Sequence, residues 1–503
     1  MASNADVRVA REFHDRTTHT PASVRSGGHT LDWDNKPFPF KVYADLEPLP
    51  LPRAFDPVTA DTLAALGARE FLPAPRLVQE TLAALLYFSA GVTKKKTYPG
   101  GAEVLFRAAA STGALYQTEV YVVTGPLDDL PAGLYHFNPG DFALRRLRDG
   151  DVRAALAAAA AEPALARRAA TVVLTAIYWR NTWKYRARGF RHLYWDAGTL
   201  LANLTAVGRA LGLAPRLLAG FVDAEVNRLL GVDADQEAAL ALVALGPEGP
   251  AAPAPGPLPE LRHAVVPLSE RQVDEPALRR MQSASMLADA AAVAAWRRSE
   301  PPPARSPQGP PAALPPPRTE AGRALGETIQ HRGSTRRFTH RPLSAEELAT
   351  TLGWALRPVE ADVPGGLVDP YLIVSAVEGI RPGAYRYWPA PHALEPVREG
   401  DFRRESGFLC LEQALGADAA AVVYFLAPLD DLLLAYGNRG YRLANLEAGL
   451  AGGRAYLAAY AQRFGASGLT FYDSEVVKFF APHARGLDAV FVTALGRPAR
   501  PPF

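Results

Sequence analysis

The chain repeats itself at a nearly constant offset, and no other feature restricts its fold so strongly. Residues 185–191 read YRARGFR and residues 436–442 read YGNRGYR, 251 positions later. The pair Ala197-Gly198 returns as Ala448-Gly449 at the same offset. FVDAEV from Phe221 matches FYDSEV from Phe471, and GLYHF from Gly133 matches GAYRY from Gly383, both at 250. RDGDVR from Arg148 matches REGDFR from Arg398, again at 250. Register held over so many segments identifies a tandem duplication, so the 503 residues must build the same unit twice.

Each copy has the same texture. Short β-branched runs at 120–124, 171–177 and 239–245 predict buried strands, with partners at 371–377, 420–426 and 489–495. Helical stretches such as 76–90 and 195–211 lie between them. Ser344 and Glu347 form a capping-box signature ahead of 348–356. Strands interleaved with helices, without regular βαβ spacing, predict an α+β sandwich. Proline and alanine crowd the region after Gly246, which reads as a linker carrying one helical insert at 275–298. The organisation expected is therefore an N-terminal extension (1–55), a first domain (56–246), a linker (247–324) and a second domain (325–503).

Composition narrows the function classes. The 48% apolar content suffices for buried cores. No run of roughly 18 apolar residues predicts a membrane span. Asp6, Arg8, Arg11 and Glu12 stand where a signal peptide would need an apolar core, so a cytoplasmic protein is expected. One cysteine, Cys410, excludes an internal disulfide and a multi-cysteine metal or cluster site. A net charge of +2 gives no sign of a nucleic-acid partner. The chain has no P-loop, HExxH or GxSxG motif.

The differences between the copies carry the chemistry. Only the second contains Arg332-Gly333-Ser334-Thr335-Arg336-Arg337-Phe338. Guanidinium forks and a hydroxyl this close suit a phosphate, although a solvated basic turn has the same composition. Only the first contains RAAASTGALY at 107–116, where small residues and a glycine permit close backbone approach to a flat ligand. At the strand offset, 111–113 falls on Ala361-Asp362-Val363, and about sixteen preceding residues are missing. Lys184-Tyr185 is likewise matched by Ala435-Tyr436, in a chain with only seven lysines. The alternative for Lys184 is a surface residue at the end of a strand.

HRGSTRRF resembles the N-terminal phosphate motif of the FMN-dependent nitroreductase superfamily, with Gly333 replacing its second arginine. RAAASTGALY resembles that superfamily's serine loop, with Ala110 where proline is usual. The resemblance implies a nitroreductase-like α/β/α sandwich duplicated as an intrachain pseudo-dimer. It places FMN between the phosphate motif of one half (Arg332, Ser334, Arg336) and the serine loop of the other (Ser111, Gly113), with Gly468, Leu469 and Arg500 also at the cofactor. One intact site and one FMN per chain follow. Nearly the whole chain is similar to the SagB/ThcOx-type azoline dehydrogenases, which oxidise thiazolines or oxazolines in ribosomal peptides to azoles. That likeness implies Lys184 and Tyr185 as the catalytic pair, dioxygen as acceptor, and a peptide or small heterocyclic substrate delivered with a cyclodehydratase partner. An NAD(P)H-dependent nitro or quinone reductase and a non-catalytic scaffold subunit remain the alternatives.

Overall fold

A computed structural model describes residues 3–74, 76–97, 101, 103–254 and 256–500. It contains two seven-stranded sheets built alike. In the first the order is Pro48–Pro50, Ala143–Asp149, Gly133–Asn138, Thr118–Thr124, Arg168–Ile177, Glu237–Glu248, Arg216–Leu218. In the second it is Ala312–Ala313, Ala393–Glu399, Gly383–Trp388, Asp369–Val374, Ala421–Ala427, Asp488–Gly496, Gly465–Gly468. All neighbours in both sheets are antiparallel. The fold is thus mixed α and β, and the duplication read from sequence is a duplication of topology.

The strand alternation explains the layers. In Thr118–Thr124, Val120 and Val122 face one core with the helices Gln79–Ala90 and Gly189–Ala210. Tyr121 and Val123 face the other, with Arg153–Ala159 and Asp223–Leu230. Period-two side chains buried on both faces give continuous apolar runs, the signal that marked these strands. The run at 371–377 stops pairing as a strand at Val374. The capping box at Ser344 forms with both bonds made, Glu347 N to Ser344 Oγ at 3.1 Å and Ser344 N to the Glu347 carboxylate at 2.8 Å.

The halves join through two long helices, Gly189–Ala210 and Arg439–Ala461, which begin in the repeated motifs. They touch at the repeated glycines. A Cβ on Gly198 would stand 2.4 Å from Leu450 N, and one on Gly449 would stand 2.3 Å from Trp195 O. Only glycine permits that crossing.

Around it, each half gives a buried aspartate to two arginines of the other. Asp473 takes Arg188 and Arg191; Asp223 takes Arg439 and Arg442 at 2.6 Å each. These are the paired motifs RGFR/RGYR and VDAE/YDSE, now seen as one self-complementary interface. The two guanidiniums hold the Asp473 carboxyl down at about 2.

Within the proline-rich segment 247–324 the helical insert is two helices, Pro276–Ala284 and Ala290–Arg297. The break serves the ion cluster: Leu287 N bonds Asp223, Ser285 O accepts from Arg439, and Ser285 Oγ accepts from Arg442. The N-terminal segment also crosses to the far half, where Asn438 Oδ1 accepts from Ala10 N and Arg11 pairs with Asp488.

Asp473→Asn should leave two buried guanidiniums without a counter-charge, costing about 3–5 kcal/mol. Urea unfolding of wild type and variant measures it, and a loss below about 1 kcal/mol would mean that the Asp473 cluster does not hold the interface.

Candidate functional site

Residues 107–116 pass from the strand Glu103–Arg107 to the strand Thr118–Thr124 through a strained turn. Gly113, Ala114 and Tyr116 all have φ between 51° and 63°. That region is unfavourable for alanine and tyrosine by about 1–3 kcal/mol each, so the surroundings must impose it. Asp196, on the first central helix, does so. Its carboxylate accepts from Ser111 Oγ (2.6 Å), Thr112 N (2.8 Å), Thr112 Oγ1 (2.7 Å) and Gln117 Nε2 (2.7 Å). Burial outweighs these bonds and raises the Asp196 carboxyl to about 6. Ser111 Oγ also accepts from Tyr116 N at 2.9 Å, so its hydroxyl holds the loop in shape, while Gly113 stays exposed.

The phosphate motif comes to this loop from the other half. Arg332 follows the helix Leu325–His331 and is buried. It donates Nε to Ala108 O and Nη2 to Arg107 O, both at 3.0 Å. Two of its three nitrogens thus tie the motif to the loop, which leaves Nη1 for an anion. Lys94, on a hairpin that the second half lacks, donates to the carbonyls of His331 and Arg332.

Ser334 is half-buried and shares a bond with Tyr456 Oη at 3.1 Å; that hydroxyl accepts from Gly468 N at 2.6 Å. Leu469 follows in the core, its N–H bonded to Val492 O. Arg336 is exposed and close enough to Tyr185 to influence its phenol. Arg500 is exposed, and the preceding Ala499 donates its N–H to Arg337 O at the end of the motif (2.9 Å). Among the described residues, no carboxylate pairs with Arg332 or Arg336. A Cβ at Gly333 or Gly468 would make only ordinary van der Waals contacts, the nearest at 3.7 Å and 3.4 Å. Cations, a hydroxyl and glycine backbone fit the phosphate of a flavin mononucleotide.

Lys184 and Tyr185 close the helix Tyr178–Tyr185, which starts where the strand Arg168–Ile177 ends. Arg186 follows with φ 51°, turning the chain sharply. A Cβ on Gly113 would meet Tyr185 Oη at 2.9 Å, so the phenol abuts the serine loop. Burial pushes the Tyr185 phenol well up, Asp196 adds to that, and Arg336 opposes it. Burial and then Lys36 push the Lys184 amine down. Of the two side chains expected to act as bases only if their pKa falls, the lysine alone meets the condition.

The pseudo-symmetric end is different. Chain 360–362 runs along the strand Arg216–Leu218, with Leu217 N on Glu360 O (2.9 Å) and Asp362 N on Leu217 O (3.0 Å). Asp362 then caps Ala219 N and Gly220 N. Backbone therefore lies along that strand where 111–113 fall in register. Glu447, 251 positions after Asp196, accepts from three backbone N–H groups, of Gly366, Leu367 and Val368. Asp196, Tyr456 and Lys94 were not singled out from sequence. Asp196 had a signal, because an acid precedes the Ala-Gly pair in both halves; Tyr456 had none.

The nitroreductase family model matches residues 68–247 and 329–497, and the chain belongs to that family. A crystal structure of a nitroreductase-family protein from Anabaena variabilis is 28% identical, with a TM-score of 0.77, over 97% of this chain and 99% of that one. A nitroreductase relative from Methanocaldococcus jannaschii is 28% identical over 167 residues, 33% of this chain and 80% of its own length. Among the described residues, no helix is long and apolar enough to cross a membrane, and no cluster of three or more His, Cys, Asp or Glu could hold a metal ion.

Asp196 sets a pH dependence. Its carboxyl rises from 3.8 to about 6 on folding, so the folded chain holds this proton more tightly. The resulting stability is full below pH 3.8 and is lost as pH rises through about 6, roughly 3 kcal/mol in all. Asp196→Asn should flatten that part of the pH profile and should also weaken the loop anchor by about 1–3 kcal/mol. Urea midpoints at pH 4 and pH 7 for both proteins measure this, and parallel profiles would contradict it.

Proposed function

We propose that the chain binds one FMN where the serine loop of the first half meets the phosphate motif of the second. On this reading it works as a dehydrogenase that oxidises azoline rings to azoles. The single observation that carries the cofactor site is the Arg332 guanidinium seated on the carbonyls of Arg107 and Ala108, joining half-sites from opposite copies. The opposite end supports one FMN rather than two, since 360–362 is hydrogen-bonded along its strand. In this site Arg332 Nη1, Arg336 and Ser334 Oγ would hold the phosphate, while Gly113 and Gly468 would let backbone approach the ring. FMN supplies the hydride acceptor when bound.

The chain's own residues handle the proton. Lys184, half-buried and with its amine pushed down, takes the ring proton of the azoline. Tyr185, with its phenol pushed up, stays protonated and orients the substrate by donating a hydrogen bond. The geometry supports this pairing because Tyr185 Oη lies against Gly113 and Lys184 Nζ sits 5.3 Å from the Tyr185 ring. The substrate proposed is a thiazoline or oxazoline of a ribosomal peptide, or a related small heterocycle. Dioxygen would reoxidise the flavin, and a cyclodehydratase would supply the substrate.

The purified protein should carry close to one FMN per chain. Arg332→Ala should weaken retention by about 1.5–3 kcal/mol, whereas the exposed Arg404→Ala should not. Extracted flavin measures both; two FMN per chain, or equal retention in the two variants, would refute the shared site.

Lys184→Ala should keep the yellow colour and lose about 10²–10⁴-fold in azoline turnover. Turnover of wild type should rise with pH through the lowered lysine pKa. Tyr436→Phe removes a buried hydroxyl that has no partner and should be nearly silent. With flavin occupancy matched, wild-type turnover in Lys184→Ala would sink the base assignment. Nitroarene reduction by NAD(P)H with no azoline oxidation would favour the reductase.

A further inference from the structure

The end of the interface without a serine loop is not solid. A cavity of about 330 Å³ lies between residues 66–73 of the first half and 357–360 of the second. Its lining combines apolar Phe71, Pro358 and Val359 with Arg209, Arg357 and Arg454, and the exposed Glu70 and Glu360 stand at its edge.

Arg454 is 2% exposed. It donates Nε to Trp354 O (2.9 Å) and Nη2 to Leu66 O (2.6 Å), both neutral acceptors. Burial, and then the charges of Arg209 and Arg357, push its guanidinium down to about 9. Arg209 bonds Arg69 O and lies 3.6 Å from Glu70, which is 92% exposed and so well hydrated; its Nε is buried without a partner. Arg357 stacks on Trp354 at 5.2 Å. A buried guanidinium without a carboxylate is strongly unfavourable unless an anion arrives.

The duplicated copy supplies an internal reference. Asn203 stands 251 positions before Arg454 and makes the corresponding bond, Nδ2 to Phe88 O in the last turn of Gln79–Ala90. A short neutral amide is enough for that carbonyl. Arg454 makes the bond in the last turn of Ala345–Ala355 and also reaches the cavity. Similarly, Arg209 stands 251 positions before Tyr460, whose hydroxyl bonds Thr335 within the phosphate motif. The end that lost the phosphate motif thus carries cations where the intact end has neutral groups.

We propose that this cavity is a second ligand site for a small organic anion, a carboxylate or phosphate monoester, with its charge among Arg209, Arg357 and Arg454 and its apolar body on Phe71 and Pro358. FMN is not that ligand, because 62–73 lacks the serine and paired arginines of 332–336 and chain 360–362 lies along the strand.

Calorimetric titration of the full-length, flavin-loaded protein with benzoate, and separately with phenyl phosphate, tests the site. At least one probe should bind saturably at one equivalent, and the preferred probe identifies the anionic group. Arg454→Asn, which copies the residue of the intact end, should weaken binding by about tenfold or more. Arg357→Gln, on a rim residue that bonds no backbone, should weaken it severalfold. Flavin content should not change in either variant. No saturable binding at millimolar probe, unchanged affinity in Arg357→Gln, or release of flavin by the probe would each overturn the proposal. The Arg357 arm decides the matter if Arg454→Asn does not fold.

Discussion

Two buried aspartates, each gripped by two arginines from the opposite half, set the geometry on which everything else rests. Asp473 with Arg188 and Arg191, and Asp223 with Arg439 and Arg442, flank the crossing at Gly198 and Gly449. The glycines bring the helix backbones into contact, and the ion clusters fix their rotation about that contact. Buried charges tolerate no slippage, because a shift leaves a guanidinium without its partner. Even the segment between the halves is shaped by this demand, since its helix breaks to give Asp223 and the arginines backbone and hydroxyl partners.

A symmetric scaffold then holds asymmetric ends. Each central helix presents an acid at the same place, and each acid collects N–H groups from the loop above it. Asp196 thereby holds the strained serine loop, while Glu447 holds 366–368 in a segment that has lost that loop. Such division requires only that the interface survive, because the motifs lie in loops beyond it. One end keeps a cradle with cations and glycines, and the other keeps a cavity with a different set of cations.

Much of this was legible in the sequence. Repeated short motifs revealed the duplication, and period-two apolar runs revealed the central strands, because burial on both faces leaves only apolar residues there. The capping box at Ser344 and Glu347 was readable because its bonds are local. Reciprocal motif loss singled out the two segments, 107–116 and 332–338, that the fold brings together through Arg332. The helical insert was read as one piece, since nothing local announces that Leu287 is claimed by Asp223. Lys184-Tyr185 could be read as a pair, but not the opposite shifts of their two groups, which come first from burial and then from Asp196 beside the phenol and Lys36 beside the amine.

The sequence alone therefore determined the family of fold, its duplication and the residues whose loss differs between copies, because these depend on periodicity and on comparison along the chain. Tertiary structure alone decided that Arg332 spends two nitrogens on the serine loop, that Ser111 serves Asp196, and that Tyr456 links Ser334 to Gly468. It also decided that Arg454 lines a cavity with only carbonyl oxygens as its own partners. Each of these depends on groups brought together across a helix crossing from positions far apart in sequence, and local pattern contains no information about such partners.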